Sequence, residues 1–285
     1  MSCAITSAVL PLPLVVFTEL DGALLDPRAR RWDGAEEALA ELERRRIPLI
    51  LCSDKTRMEM DWLRRKMGHG HPYITENGGG VFIPHGYFSH RIPKGPQDTR
   101  HEHCRTLGQP YQEVVERLED AAEEARVEIV NFRRMTVREI AENNGLAPRE
   151  AELARLREFS EPFYIAGATA RDESRLTNAA QKRGLQITQG ARFWNASSGS
   201  DIGRALRELI GHYKQEWRGR GRSVALGGSP NDIPMLAAVD VAVVLPGCRG
   251  EYNNEVLAKV PRARVAATAG PAGWNQAVMD LLRVG

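Results

Sequence analysis

Two carboxylates stand two residues apart, Glu19 and Asp21, directly after the apolar run Leu14 to Phe17. Along an extended segment, residues i and i+2 project to the same side, so one strand end delivers both groups to one space. Paired carboxylates can serve as acid and base, and a metal-free pair about 5 to 9 Å apart is the minimum kit for glycoside hydrolysis. A second polar stretch, Ser53-Asp54-Lys55-Thr56-Arg57, follows the apolar run Ile47 to Cys52. A serine in that place is a common cap for the following helix. Lys55 and Arg57, in the first turn, are placed either to meet an anion or to face solvent. A third stretch, Gly227-Gly228-Ser229-Pro230-Asn231-Asp232, follows the apolar residues up to Leu226.

These groups can meet only if their strands end together. The spacing predicts helices over Gly34 to Arg46 and Thr56 to Met67 between the first strands. Tyr73 to Thr75 then runs through Glu76-Asn77-Gly78-Gly79-Gly80 into a hairpin at Val81 to Pro84. The last third repeats the pattern: a helix at Gly203 to Tyr213, a strand at Ser223 to Leu226, a strand at Val241 to Leu245 and a terminal helix from about Gly273. Strands alternating with helices argue a parallel sheet covered on both faces, with the site at its carboxyl end. From about His90 the register changes. Helices at Tyr111 to Arg126, Thr136 to Asn143, Pro148 to Arg157 and Arg171 to Arg183 alternate with strands at Val127 to Asn131, around Pro162 to Ala166, and a pair near Leu185 to Trp194. This block reads as an inserted α+β unit, dividing the chain into core (1–89), insertion (90–195) and core (196–285). No internal repeat or low-complexity segment is visible.

Composition narrows the class. A chain of 285 residues with 42% hydrophobic and 27% charged residues is an ordinary globular protein, neither disordered nor fibrous. The net charge of +2, with arginines interspersed among acidic residues, argues against a nucleic-acid partner. The apolar run Ala8 to Phe17 contains two prolines and is too short to cross a bilayer, which takes about 20 residues, so no membrane partner is expected and a cytoplasmic location is the default. Cys3, Cys52, Cys104 and Cys248 are too far apart for a zinc knuckle or a redox pair. No oligomeric state follows from the sequence.

The ordered set of acid-x-Asp-Gly-x-Leu-Leu (Glu19 to Leu25), a strand ending in Ser53, and Gly-x-Ser-x-Asn-Asp (Gly227 to Asp232) resembles the motifs of the haloacid dehalogenase superfamily. Finer details resemble its mannosyl-3-phosphoglycerate phosphatases: Val16-Phe17-Thr18, Lys55-Thr56-Arg57, Glu76-Asn77-Gly78-Gly79, Arg157-Glu158-Phe159 and Gly190-Ala191-Arg192-Phe193. The likeness runs from Val15 to near the end. It implies an α/β fold, a Rossmann-like parallel-sheet core with an α+β cap inserted after the third strand. The implied substrate is a phosphorylated sugar of the glycosyl-glycerate type, and the implied cofactor is Mg2+.

By the same resemblance Glu19 occupies the nucleophile position and Asp21 that of the general acid/base. Ser53, Lys55, Arg57, Glu76, Asn77 and Asn231 fall where phosphate or substrate is held. Arg157, Arg192 and Phe193, with Glu158 and Trp194, fall in cap segments that approach the sugar and glycerate. Phe193 and Trp194 equally suit packing of the cap sheet. Glu19, Asp21 and Asp232 would hold the metal. The chain departs from the family pattern in having Glu19 for aspartate, Ile202 for a lysine, Gly228 for a metal-binding aspartate, and Asn195 for a histidine at the rim. An extra methylene moves a carboxylate roughly an ångström forward, and misplacement of about 1 Å can cost a hundredfold in rate. The resemblance therefore implies a phosphatase with weakened or altered catalysis. The alternatives are a non-catalytic binding relative and a metal-independent glycoside hydrolase using Glu19 and Asp21.

Overall fold

The structure is a computed structural model and describes residues 13–167, 169–190 and 193–284. The expected apolar run from Ala8 lies outside these residues up to position 12. The chain begins with β1 (Leu14–Glu19), α1 (Glu36–Arg44), β2 (Leu49–Cys52), α2 (Arg57–Met67) and β3 (Tyr73–Thr75). It then folds back as β4 (Gly80–Pro84) and β5 (Glu102–Thr106). A middle block follows: α3 (Tyr111–Ala125), β6 (Ile129–Asn131), α4 (Val137–Asn144), α5 (Pro148–Ala154), β7 (Ser160–Ile165), α6 (Ala170–Lys182), β8 (Gln186–Gln189) and β9 (Trp194–Ser197). The last third holds α7 (Ile202–Glu216), β10 (Arg222–Gly227), α8 (Ile233–Leu236), β11 (Val241–Val244), α9 (Asn254–Lys259), β12 (Arg264–Val265) and α10 (Gly270–Val284).

Among the described residues the strands form two sheets. The larger has the order β12-β11-β10-β1-β2-β3-β4-β5, parallel except where β4 pairs antiparallel with β3 and β5. The smaller, β6-β7-β9-β8, is antiparallel and belongs to the middle block. The central strands are largely apolar because both faces are covered. Val16, Leu51 and Leu226 face α1, α2 and α10, while Val15, Phe17, Ile50 and Ala225 face α7 and α8. Trp274 of α10 is fully buried and its indole N–H donates to Thr18 Oγ1 at 2.9 Å, tying the last helix to the first strand.

The α/β core with a cap is as the sequence implies, with several local corrections. The segment Glu102–Thr106, for which the sequence pattern predicts no strand, is the edge strand of the large sheet. The smaller sheet's block therefore starts at α3 rather than at residue 90, and β9 carries it to Ser197 rather than 195. Edge strands tolerate charge on their open side, so Glu-His-Cys-Arg-Thr shows no apolar alternation beyond the buried Cys104. α5 stops at Ala154, before Arg157. Ser53 does not cap α2. That role falls to Thr56, whose hydroxyl accepts the Glu59 N–H at 3.1 Å while the Glu59 carboxylate accepts the Thr56 N–H at 2.9 Å. α9 and β12, short and with little periodicity, were also not legible.

Candidate active site

Strands β10, β1 and β2 are neighbours, so their carboxyl ends bring Gly227, Glu19 and Cys52 side by side and the loops beyond them into one place. After β1 the chain turns tightly. Leu25 N–H bonds to Leu20 O at 2.8 Å, and Gly22 takes φ of 81°, the left-handed backbone that a side chain would oppose. Glu19 Oε1 accepts the Leu20 N–H at 2.9 Å. Burial raises the Glu19 pKa well above its ordinary value, and the carboxylates of Asp232, Asp54 and Asp21 raise it further by like-charge repulsion.

Asp21, at the exposed lip of this turn, pairs with Lys55 across 2.5 Å. Burial disfavours the Lys55 charge, but Asp21, Asp54 and Glu59 outweigh it, and the ammonium's pKa rises. Ser53 is fully buried at the end of β2, and its carbonyl accepts the Asn77 N–H at 3.0 Å. Asp232 is 2% exposed, and its Oδ2 accepts the N–H groups of Gly228 and Ser229, both at 2.8 Å, and the Ser229 hydroxyl at 3.0 Å. Burial nonetheless pushes its pKa up, against those hydrogen bonds and with help from Asp54. Asn231 lies in the same turn, between Pro230 and Asp232. Glu19, Asp21, Ser53, Lys55 and Asp232 are thus gathered, and Asp54, not singled out in the sequence, adds a further negative charge. Its place directly after Ser53, at a strand's carboxyl end, was the available signal.

Other sequence candidates lie elsewhere or have other work. The Arg57 guanidinium stands 4.8 Å from the centre of the Phe82 ring and approaches Glu102 and Glu158, each at 3.9 Å. It lines an open cleft of about 720 Å³ with Arg64, Arg65, Arg100 and Glu102, which contains none of the carboxylates around Glu19. Glu76 is fully buried and binds the middle block: its carboxylate accepts the N–H groups of Glu158 at 2.8 Å and Phe159 at 3.0 Å, and the Ser160 hydroxyl at 2.7 Å. Arg157 completes this junction, 3.4 Å from Glu76, with Nη2 donating to the Asp54 carbonyl at 2.9 Å. Phe193 meets Phe132 edge to face at 5.1 Å within a small cluster that includes Ile140 and Ala151, which favours the packing role. Trp194 packs against the cluster of Val114, Leu118 and Phe163. Arg192 lies outside the described residues.

The middle block closes over the site. Thr56 Oγ1 donates to the Leu153 carbonyl at 2.9 Å, and Arg30, just past the acidic turn, donates to the Asn144 carbonyl at 2.8 Å. The α4–α5 pair therefore sits above the loops that carry the carboxylates. The arrangement is a group of crowded carboxylates with one paired ammonium and a buried hydroxyl, open at Asp21.

No protein-family model matches the chain. Over 271 residues it is 35% identical to a glucosyl-3-phosphoglycerate/mannosyl-3-phosphoglycerate phosphatase of Methanococcoides burtonii, spanning 94% of this chain and 97% of that protein. A protein of the same description from Persephonella marina is 33% identical over 273 residues, with the same coverage. The chain belongs to this phosphatase family. Solved structures support the fold. A Thermoplasma acidophilum protein superposes with a TM-score of 0.67 at 18% identity, covering 95% of this chain and 99% of its own. A sugar phosphatase of haloacid dehalogenase subclass IIB gives 0.62 at 15%, covering 95% and 98%. The sucrose-phosphatase of Synechocystis gives 0.57 at 14%, covering 94% and 97%.

In this member of the glucosyl-3-phosphoglycerate/mannosyl-3-phosphoglycerate phosphatase family, Ile202 is 3% exposed and packs with Val15, Phe17 and Leu206. The ammonium paired with the acidic turn is that of Lys55. Gly228 comes so close to β11's exit that an added Cβ would lie 2.4 Å from the Leu245 carbonyl oxygen.

Proposed function

We propose that the protein is a phosphomonoesterase acting on mannosyl- or glucosyl-3-phosphoglycerate, with slower turnover than an aspartate nucleophile would give. The observation that carries this reading is the convergence of Glu19, Asp21, Ser53, Lys55 and Asp232 under the α4–α5 pair, in a chain at least 33% identical to relatives so described. The Glu19 carboxylate attacks phosphorus as the glycerate oxygen leaves, taking its proton from Asp21. Asp21 then removes a proton from water, which attacks the acyl phosphate, releasing inorganic phosphate and restoring Glu19. Before substrate arrives Lys55 is committed to Asp21. An incoming phosphate competes for that ammonium, which both binds the anion and frees Asp21 to carry a proton. The Ser53 hydroxyl offers a donor to a phosphoryl oxygen.

Magnesium fits the donor set in kind: hard carboxylate oxygens whose burial, with repulsion from neighbouring carboxylates, already raises the proton affinity of Glu19 and Asp232. Glu19 and Asp232, with the Asp21 backbone carbonyl, would hold it, and it would offset phosphoryl charge. Among the described residues no three side chains of the acidic loops bring ligand atoms within 4.8 Å of one another, so the site offers few carboxylates at once, as Mg2+ usually accepts.

The test is phosphate release from both sugar esters, with and without Mg2+, for the natural chain and for Glu19→Asp. Slow magnesium-dependent release that increases about tenfold or more in Glu19→Asp is expected, given the sensitivity of in-line attack to about 1 Å. Absence of release from both proteins with both esters would remove the proposal.

A further inference from the structure

At the other end of the large sheet, away from the acidic loops, β4 and β5 bring a different set of groups together. His85 follows β4 directly, His103 lies in β5 opposite Ile83, and Asp98 comes from the loop between the strands. One ligand atom from each lies within 4.8 Å of the other two. The Asp98 carboxylate is held from both sides. Oδ1 accepts the Cys104 N–H at 2.9 Å, and Oδ2 lies 2.8 Å from His103 Nδ1. The rings of His85 and His103 are 4.4 Å apart, inclined at 53°. The side chains of Asp98 and His103 are 12% and 14% exposed, while His85 is open to solvent.

We propose that His85, Asp98 and His103 bind a divalent transition-metal ion of the zinc type. Two imidazoles with one carboxylate suit zinc and its neighbours, and do not suit magnesium, which takes oxygen ligands. Three ligands leave a fourth tetrahedral position for water on the exposed His85 side. The ion would pin the loop between β4 and β5 to the edge of the sheet, and would be independent of the magnesium-type donors at Glu19. The competing account is a bare His103–Asp98 hydrogen bond with His85 resting on it, which needs no ion.

The two accounts separate on titration of the full chain, stripped with EDTA, with Zn2+ against a chromogenic chelator. One tightly bound Zn2+ per chain is expected. His85→Ala, a change at an exposed side chain, should weaken it tenfold or more, and His103→Asn at least as much, with both variants keeping the natural magnesium-dependent phosphate release. X-ray absorption of the zinc-loaded natural chain should show imidazole nitrogens in the first coordination sphere. A natural chain that takes up no zinc in competition, or variants that bind it as tightly as the natural chain, would overturn the site.

Discussion

Lys55 is the residue on which the proposed chemistry turns, because Ile202 is buried in the apolar core and brings no charge. Its ammonium is largely buried against Asp21, and a fixed charge so placed acts more strongly than in bulk water. Replacing it by methionine keeps the length of the chain and removes the charge. Lys55→Met is expected to lower kcat/KM for the sugar ester by about a hundredfold to a thousandfold, the usual effect of losing one such electrostatic contact. A loss of less than tenfold would show that the phosphoryl charge is met by another group. A second buried group, Glu161 in β7, bears on stability instead. Burial raises its carboxyl pKa to about 7, against the Arg133 N–H and Tyr111 hydroxyl that stabilise the anion. The folded state thus holds this proton more tightly than the unfolded chain. Its stabilising contribution is complete below the ordinary value of 4.5 and is lost as pH rises through about 7. Glu161→Gln should remove that dependence, so the variant gains on the natural protein between pH 5 and pH 8 by at most about 3 kcal/mol in urea unfolding. Parallel stability profiles would contradict the raised value.

At the scale of the element, the loop after β10 is shaped by what Gly228 lacks. With an added Cβ only 2.4 Å from the Leu245 carbonyl oxygen, any side chain there must push β10's loop away from β11's exit. Gly228→Ala and Gly228→Asp should both cost about 1–3 kcal/mol in urea unfolding, the range for overpacking. If alanine were neutral and aspartate harmful, charge rather than space would be the cause. The same scale explains what the sequence could show. Apolar runs that give way to polar stretches bearing Glu19, Ser53 and Asp232 announce buried strands and their polar exits, so the fold and the gathering of those three were legible. β5 was not, since an edge strand of Glu, His and Arg carries no apolar signature. Nor were the directions of long side chains. Arg57 lies three residues from Asp54, yet it turns to the Phe82 ring. Glu76 is spent on the N–H groups of Glu158 and Phe159 and the hydroxyl of Ser160, a partnership across 82 to 84 positions that no local pattern encodes.

At the scale of the whole molecule, the middle block is joined to the large sheet and its loops by two unlike sets of contacts besides the Thr56–Leu153 hydrogen bond. One is the junction of Glu76, Arg157 and Ser160, where Glu76 is fully buried and the Arg157 side chain is 5% exposed. Nearby, both chain crossings are tied in, Gly108 N–H to Gly79 O at 3.0 Å and Gln109 N–H to Ser198 O at 2.8 Å. The other set is Arg30, with its hydrogen bond to Asn144 O and a 3.7 Å approach to Glu150, where the two side chains are 25% and 22% exposed. Separating the first would strand a buried ion pair at a cost of about 3–5 kcal/mol, whereas a partly exposed pair contributes at most about 1 kcal/mol.

The protein is accordingly built like a hatch with a welded axle and a spring latch. The Arg30 side is the weaker of the two sets, so it is expected to open first, at the tips of α4 and α5, while the Glu76 side stays shut. Arg30→Ala should therefore speed hydrogen exchange in residues 137–150 and leave 76–80 and 158–160 as protected as before. Equal loosening on both sides would mean that the hatch has no fixed edge.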